Sequence, residues 1–213
     1  METEIRFYYS LESEEKIINN LKKIKELEYD DKYYEVTEQY NHPMKKYNFY
    51  TKEIDGRFRI RKTQSDNISK CMITWKKRLP NSDNQIHEEE EVEVSINIDE
   101  YDKLIYLLNN VLHMKLVEKY ERYRTIFHNE DIEIAVDKYP FGIALEIENK
   151  SKNKNPKEVV EYWINKIGLN IKDSYPLSWD DKYTELCKEQ NMKVENIVTF
   201  DKDMPKENNK FML

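Results

Sequence analysis

The stretch Glu2-Thr3-Glu4-Ile5-Arg6-Phe7-Tyr8-Tyr9 carries a charged side chain at every second position up to Arg6. A repeat of two residues is typical of a β-strand, because successive side chains of a strand point to opposite faces. Glu2, Glu4 and Arg6 therefore share one face of a predicted strand.

Later stretches repeat this alternation, but each carries mainly one sign of charge. The basic faces are Arg57, Arg59 and Arg61; Thr74, Lys76 and Arg78; and Arg122 and Arg124, whereas the acidic ones are Glu89, Glu91 and Glu93; Asp137; and Glu146 and Glu148. Taken one strand at a time, a charged face is ordinarily a solvated outer face. A surface selected only for solubility mixes both signs within each strand. Segregation of sign by strand instead favours a closed sheet with the charges inside.

The remaining patterns predict the secondary structure. We expect strands over 2–9, 33–40, 47–53, 57–63, 70–78, 88–96, 115–127, 132–138 and 143–148, a loop over 80–85, and helices over 10–27, from about residue 99, over 156–168 and over 179–190. Ile54-Asp55-Gly56 is a hairpin signal. These elements predict an α+β fold in which about eight strands form a closed antiparallel β-barrel with helices packed outside. A β-sandwich is the alternative.

The domain prediction places residues 1–190, including the C-terminal helices, in one barrel domain. Residues 191–213 are expected to be a polar tail or a linker to a following domain. Trp163, Trp179 and Tyr183 lie on apolar helical faces, so we expect them to pack the last helices against the barrel.

Composition limits the classes of function. The net charge is −7 over 213 residues, whereas a protein that binds nucleic-acid backbone along its length is more often basic. Four scattered histidines and two distant cysteines give little support to a zinc site, and we expect Cys71 and Cys187 to be reduced, buried thiols. No apolar run is long enough to span a membrane and no signal peptide is present, which predicts an intracellular, cytoplasmic protein without a membrane partner.

A charged lumen has a definite chemical use. Alternate residues of a strand lie ~6.6 Å apart on one face and neighbouring strands ~4.8 Å apart, so two Glu-x-Glu pairs on adjacent strands converge on one point. Carboxylate oxygens are the ligands that Mg²⁺ or Mn²⁺ prefers. Facing arginines and lysines bind phosphate oxygens. A carboxylate not bound to the metal can orient or deprotonate a water molecule.

The same residues resemble the triphosphate tunnel metalloenzymes, the CYTH-like superfamily. The resemblance covers about residues 2–148 and follows the order of the family motifs. Its parts are the first-strand signature Glu2-Thr3-Glu4-Ile5-Arg6, then Arg59-Ile60-Arg61, Thr74-Trp75-Lys76, Arg122-Tyr123-Arg124, Ala135-Val136-Asp137 and the closing Leu145-Glu146-Ile147-Glu148. A single Glu-x-Glu is weak evidence, whereas the ordered set is strong.

Within that superfamily the chain looks most like the RNA triphosphatases of fungal and DNA-virus mRNA-capping systems, particularly the triphosphatase module of giant-virus, mimivirus-type capping enzymes. The resemblance implies a polynucleotide 5′-triphosphatase that removes the γ-phosphate from 5′-triphosphate RNA and leaves a 5′-diphosphate end. It also implies hydrolysis of NTPs, dependence on Mg²⁺ or Mn²⁺, and fusion to or association with guanylyltransferase and methyltransferase domains. A viral member would work in the cytoplasm, in a viral factory or in the virion.

The resemblance also assigns roles to residues. Metal ligands are Glu2, Glu4 and Glu148, with Glu146 in the same cluster and holding the water as its alternative role; phosphate-binding residues are Arg59 or Arg61, Lys76, Arg122 and Arg124; supporting or water-activating acids are Glu91 or Glu93, and Asp137. Arg6 completes the first-strand signature. Some fungal relatives have a third glutamate on the closing strand, where this chain has Ala144 before the pair and Lys150 after it.

Two rival functions remain open at this point. The first is another activity of the same superfamily: an inorganic tripolyphosphatase, a thiamine triphosphatase or a cyclase. The second is a non-enzymatic polyphosphate-binding or scaffolding module. Acidic pairs at both ends of the motif set argue against the second rival, because binding alone needs the bases and not both Glu-x-Glu pairs.

Overall fold

The structure, a computed structural model, describes residues 2–79 and 87–212. The side chains of Glu2, Arg78, His87, Glu88 and Glu89 lie outside what it describes, as does the loop predicted over 80–85. The strands are β1 (Glu2–Tyr9), β2 (Glu28–Asn41), β3 (Gly56–Gln64), β4 (Ser69–Arg78), β5 (His87–Ile96), β6 (Lys115–His128), β7 (Ile132–Tyr139), β8 (Gly142–Asn149) and β9 (Ile197–Val198). The described helices are α1 (Glu14–Leu21), α2 (Tyr101–Tyr106), α3 (Pro156–Ile167) and α4 (Trp179–Glu189), and a π-helical turn, Leu107–Val111, continues α2.

Eight of the strands form a ring of antiparallel pairings. The order is β2-β3-β4-β5-β1-β8-β7-β6, and β6 pairs again with β2. The pairing of β1 with β5 is short, whereas β2 and β6 pair along most of their 14 residues each. The predicted α+β barrel of about eight strands is confirmed, and the β-sandwich alternative is wrong.

Helices cover the apolar outer faces of β1, β7 and β8. The buried residues of this layer are Ile5, Phe7, Ile134, Leu145 and Ile147 from the strands, and Ile17, Leu21, Val160, Trp163 and Ile164 from α1 and α3. A second layer packs Trp179, Tyr183 and Leu186 of α4 against Tyr120 and Tyr139. The layer of α1 and α3 thus lies outside the barrel, which frees the inner face for charged side chains, whereas Tyr120, Tyr139 and Trp179 of the second layer line the inner cavity. The predicted packing of Trp163, Trp179 and Tyr183 is confirmed.

The hairpin predicted at Ile54-Asp55-Gly56 is wrong, and residues 47–53 do not form a strand. They form a loop that leads into β3, with Phe49 packed edge-on against Trp75. A β-carbon at Gly56 would lie 2.3 Å from the Trp75 ring. Gly56 is therefore required by close packing against an indole and not by a two-residue turn.

The helix predicted over 10–27 is shorter than expected. A 3₁₀ turn at Leu11–Ser13 precedes α1, which ends at Leu21, while Ile24 and Leu27 pack against the same core from the following turn. The helical spacing of the apolar residues continues past the helix because the chain stays on the same surface of the barrel.

The segment expected to be a polar tail packs on the barrel over its described residues. β9 pairs in parallel with β6, and Phe211 is buried in the layer of α1 and α3. The Ser10 amide donates to the Asn209 carbonyl at 2.6 Å. Whether this segment also links to a following domain stays a prediction.

Two smaller points concern the cysteines and the lengths of the helices. Cys71 and Cys187 are buried free thiols, as predicted, and burial raises the pKa of each. Among the described residues, no helix is long and apolar enough to cross a membrane.

Candidate active site

A cavity of about 400 Å³ lies inside the barrel, lined by residues from all eight strands of the ring. Nine of the described residues that line it are lysines or arginines and eight are aspartates or glutamates, although the whole chain has a net charge of −7. Ser178 and Trp179, at the start of α4, also line it. The charged faces therefore point inward, as the segregation of sign by strand predicted.

Three glutamates converge on one side of this cavity. Glu4 of β1 lies opposite Glu148 of β8 in the strand register, and Glu146 lies two residues along on the same face. One carboxylate oxygen from each lies within 4.8 Å of the others, and all three side chains are buried. The Glu-x-Glu pairs converge because β1 and β8 are neighbours in the ring, although they lie at opposite ends of the motif set.

Basic side chains surround this acidic cluster. Arg6 donates to Glu146 Oε2 from Nε at 2.9 Å and from Nη2 at 2.5 Å, and to Glu4 Oε1 at 2.8 Å. Lys150 donates to Glu148 Oε1 at 2.6 Å. Burial alone would raise the pKa of Glu146, but Arg6 and Arg124 hold that pKa well below its ordinary value. Glu146 is therefore ionised at neutral pH.

The donor set fits a hard divalent cation. Three buried carboxylates offer only oxygen ligands, and the described part of the site contributes no histidine or cysteine to them. Structural zinc sites and copper sites use sulfur or imidazole ligands, and this set of three carboxylates includes neither. Glu2 has its backbone in β1, opposite Glu89, but its side chain lies outside the described residues, so its predicted role as a ligand stays a prediction.

The arginines of β6 are tightly held by carboxylates. Arg124 donates two hydrogen bonds of 2.7 Å each to Asp137 and a longer one of 3.2 Å to Glu146 Oε1. Arg122 donates to Asp137 at 2.7 Å and to Glu35 at 2.7 Å. Burial and the neighbouring Arg124 lower the pKa of Arg122, but Asp137 and Glu35 outweigh them, so the pKa lies well above its ordinary value.

Asp137 does not line the cavity. It is fully buried, and both of its oxygens accept hydrogen bonds from Arg122 and Arg124. Of its two predicted roles, supporting and water-activating, this arrangement favours the supporting one, because Asp137 is fully buried away from the cavity and both of its oxygens are bound to arginines.

The arginines of β3 are held much more loosely. Arg59 is buried, and it donates from Nε to the neutral Gln39 Oε1 at 3.3 Å. Among the side chains that the structure describes, no carboxylate lies within ion-pair distance of Arg59. Arg61 has one carboxylate partner in the described part of the chain, the distant Glu35 at 3.8 Å, and it donates to the Thr37 hydroxyl at 3.3 Å.

The pKa of Tyr120 is affected by the positive charge of these arginines. Burial alone would raise the pKa of this phenol, but Arg59, Arg61 and Arg122 lower it to about 8. A phenol that ionises this easily shows that the cavity favours negative charge at that point.

The remaining predicted residues lie on β4 and β5. Lys76 and Glu91 form an ion pair of 3.0 Å, and both line the cavity. Glu93 also lines it and has a long contact of 3.5 Å from the Thr74 hydroxyl. The structure thus brings Glu4, Arg6, Arg59, Arg61, Lys76, Glu91, Glu93, Arg122, Arg124, Glu146 and Glu148 to one cavity.

Sequence reasoning missed Glu35 of β2. Its carboxylate is buried between Arg122 and Arg61, and although burial raises its pKa, the arginines hold that pKa well below its ordinary range. The alternation was present, since Tyr33, Glu35, Thr37 and Gln39 share a face. Three uncharged members diluted the charge signal on that strand.

Comparison with known proteins places this architecture in a family. The sequence profile of the CYTH domain matches residues 1–174 of the chain. No curated protein matches the chain.

Solved structures show the same fold at low sequence identity. The PH1012 protein of Pyrococcus horikoshii is 19% identical with a TM-score of 0.63, over 84% of this chain and 97% of its own. A putative adenylate cyclase of Vibrio parahaemolyticus is 15% identical with a TM-score of 0.60, over 84% of this chain and 95% of its own. The Mimivirus capping enzyme triphosphatase is 13% identical with a TM-score of 0.43, over 81% of this chain and 89% of its own, and that similarity is too weak to carry an argument.

Proposed function

The chain belongs to the CYTH domain family, whose members are generally metal-dependent enzymes that act on triphosphates, and on that premise we propose that it is a triphosphatase of RNA 5′ ends. It removes the γ-phosphate of a 5′-triphosphate RNA, leaves a 5′-diphosphate end and also hydrolyses NTPs. The observation that carries the proposal is the cavity itself. A cluster of three buried carboxylates and a set of arginines face one another across a space of about 400 Å³.

The arginines of β3 are the best placed to bind phosphate. Arg59 has no carboxylate partner among the described residues and Arg61 only a distant one, so a phosphate oxygen can take both without breaking a strong ion pair. Charge-assisted hydrogen bonds from arginine to phosphate are among the stronger polar contacts in proteins. Lys76 adds a third cation from β4, opposite β3 in the register.

The acidic cluster would hold the cation. Glu4, Glu146 and Glu148 are the residues that fit Mg²⁺ or Mn²⁺, and Glu2 remains a further proposed ligand. A cation bound there supplies positive charge that neutralises the terminal phosphate oxygens. Arg6 and Arg124 keep Glu146 ionised, so this member of the cluster needs no deprotonation before it binds a cation.

Glu93 is the best candidate to orient or deprotonate the attacking water. It lines the cavity, and among the described residues no basic side chain lies within ion-pair distance of it. Glu91 is engaged by Lys76, and Asp137 by two arginines. A base needs a lone pair that is not already taken, which favours Glu93 over the other two.

The RNA specificity rests on the order of the motifs and on charge. An acidic protein with a basic spot inside its barrel is suited to hold an RNA at its end and not along its backbone. In this proposal the diphosphate product passes to a guanylyltransferase, with a methyltransferase acting later. The setting would be the cytoplasm, or a viral factory or virion for a viral member.

The experiment uses RNA labelled at the γ-phosphate, Mn²⁺ and unlabelled tripolyphosphate as competitor. We expect release of inorganic phosphate that persists under a modest excess of tripolyphosphate. Release of pyrophosphate would contradict the proposal. Complete loss of RNA turnover in favour of tripolyphosphate would favour the inorganic tripolyphosphatase.

Two substitutions to glutamine test the proposed roles of Glu148 and Glu93. Glu148→Gln should abolish turnover because it removes one of three clustered carboxylates, and Glu93→Gln should lower kcat by about 10²–10⁴-fold as the loss of a general base. Glu90→Gln is the matched control, since Glu90 is exposed on the same strand as Glu93. If Glu93→Gln behaves like the control, Glu93 does not serve the water.

A further inference from the structure

Three side chains form a row across neighbouring strands, and the first of them, Arg59, lines the cavity. Arg59 of β3 lies opposite Gln39 of β2, and Gln39 lies opposite Glu118 of β6. The strand spacing of ~4.8 Å puts Gln39 between the other two. Glu118 shares a strand face with Tyr120, Arg122 and Arg124, so the row belongs to the inner face.

Glu118 has an unusual set of neighbours. The charged and titratable groups that influence it are Asp180 and Asp181 from α4, Arg57 and Arg59 from β3, and Tyr50 from the loop before β3. Asp180 accepts a hydrogen bond from the Tyr50 hydroxyl at 2.9 Å and is partly stabilised by Arg57. Two carboxyl groups thus share a site with limited access to water, and ionising both is costly.

The two acids divide the charge between them. Burial and then the Asp180 charge raise the pKa of Glu118 to about 8, in spite of Arg59 and Arg57. Burial alone would raise the pKa of Asp180 too, but Arg57 and the hydrogen bonds from Ser178 and Tyr50 lower it. At neutral pH, Asp180 therefore carries the negative charge and Glu118 keeps its proton.

We propose that Glu118 is a positioning residue for phosphate binding. While Glu118 is protonated, the Arg59 guanidinium is available to the substrate phosphate. When Glu118 is ionised, it attracts that guanidinium away from the phosphate. The proposal rests on the triphosphatase function, because it takes a phosphate chain as the ligand of Arg59.

Gln39 supplies the connection within the row. Its Oε1 accepts from Arg59, and its Nε2 is buried without a hydrogen-bond partner in the described structure. An ionised Glu118 is a stronger acceptor for that amide than a protonated one and presents an opposite charge to Arg59. Both changes pull the row away from a phosphate bound in the cavity.

The test measures binding of inorganic tripolyphosphate by calorimetry between pH 6 and 9.5, with a chelator present so that no turnover occurs. Wild type is compared with Glu118→Gln, which has the same shape but cannot ionise. We expect the ratio of the two dissociation constants to change by on the order of tenfold between pH 7 and pH 9, with wild type losing affinity, because a charge-assisted contact is withdrawn. Protonation of tripolyphosphate itself is common to both proteins and cancels in the ratio.

Asp180→Asn tests the same inference through the pH at which tripolyphosphate affinity is lost. Since the Asp180 charge raises the pKa of Glu118, its removal should move the loss of affinity to lower pH than in wild type. Parallel pH profiles for wild type and Glu118→Gln, with normal binding, would overturn this inference alone. Absence of tripolyphosphate binding by wild type at every pH would also overturn this inference, whereas the proposed function is tested separately by the release of phosphate from γ-labelled RNA.

Discussion

Two Arg-x-Arg strands face the same cavity, but their arginines are held differently. Arg122 and Arg124 of β6 share Asp137 through hydrogen bonds of 2.7 Å, and each has a further carboxylate partner. Arg59 of β3 donates to a neutral amide, and Arg61 lies 3.8 Å from its carboxylate. Both pairs are largely buried and have the same sequence spacing.

The difference separates a scaffold from a binding surface. An arginine locked between carboxylates positions those carboxylates, and a phosphate that took it would leave a buried acid unpaired. An arginine without an acidic partner has already lost its hydration, and it gains most when an anion arrives. We therefore expect β6 substitutions to act mainly on stability and β3 substitutions mainly on ligand affinity.

The largest effect is expected at Asp137. Asp137→Asn removes the carboxylate that Arg122 and Arg124 share and leaves two buried cations poorly paired, which should lower the free energy of unfolding by about 3–5 kcal/mol. Urea denaturation measures it. Glu130→Gln, in an exposed turn, is the control and should be neutral. Equal stability of the two variants would show that the β6 network is not a scaffold.

Arg59→Met should have the opposite effect to Asp137→Asn: it should weaken ligand binding without lowering the free energy of unfolding. Loss of a charge-assisted contact should weaken tripolyphosphate binding by about 10- to 100-fold. The free energy of unfolding should stay the same or rise, since removing a buried charge without an acidic partner relieves desolvation. Calorimetry and urea denaturation on the same preparation test both parts. A destabilised variant with normal affinity would reverse the comparison.

Acid should weaken the β6 scaffold through Glu35. Its folded-state pKa is depressed, so its contribution to stability is present above the unfolded value of about 4.3 and is lost as the pH falls from there toward the folded value. The contribution should be on the order of 2 kcal/mol. Melting temperatures between pH 6 and pH 3 measure it, and Glu35→Gln should flatten the acid side of the curve. An unchanged slope in that variant would assign the acid sensitivity elsewhere.

The smallest effect is expected at Arg61. This guanidinium already has Glu35 at 3.8 Å and the Thr37 hydroxyl at 3.3 Å, so less of its charge is available to a phosphate than at Arg59. Arg61→Met should weaken tripolyphosphate binding by about three- to tenfold. Finding Arg61→Met as damaging as Arg59→Met would mean that acidic partners do not decide which arginine binds phosphate.

The inner faces were largely predictable because strand alternation is a local property. Glu4, Glu146 and Glu148 could be assigned to one lumen from spacing and charge sign alone, and the structure brings them together. Two errors came from signals with more than one cause. Gly56 looked like a turn residue but makes room for Trp75, and Glu35 was overlooked because its strand neighbours are uncharged.

The sequence by itself determined which side chains face inward, since a period of two residues and a segregation of charge by strand are written along the chain. Only the tertiary structure decided which acid meets which base. Those pairings depend on the order of strands around the ring, where β1 meets β8 and β2 meets β6, far apart along the chain. Ion pairing acts over a few ångströms, so identical Arg-x-Arg spacings acquired different partners: the β6 pair has close carboxylates, and the β3 pair has, among the described residues, a neutral amide and one distant carboxylate.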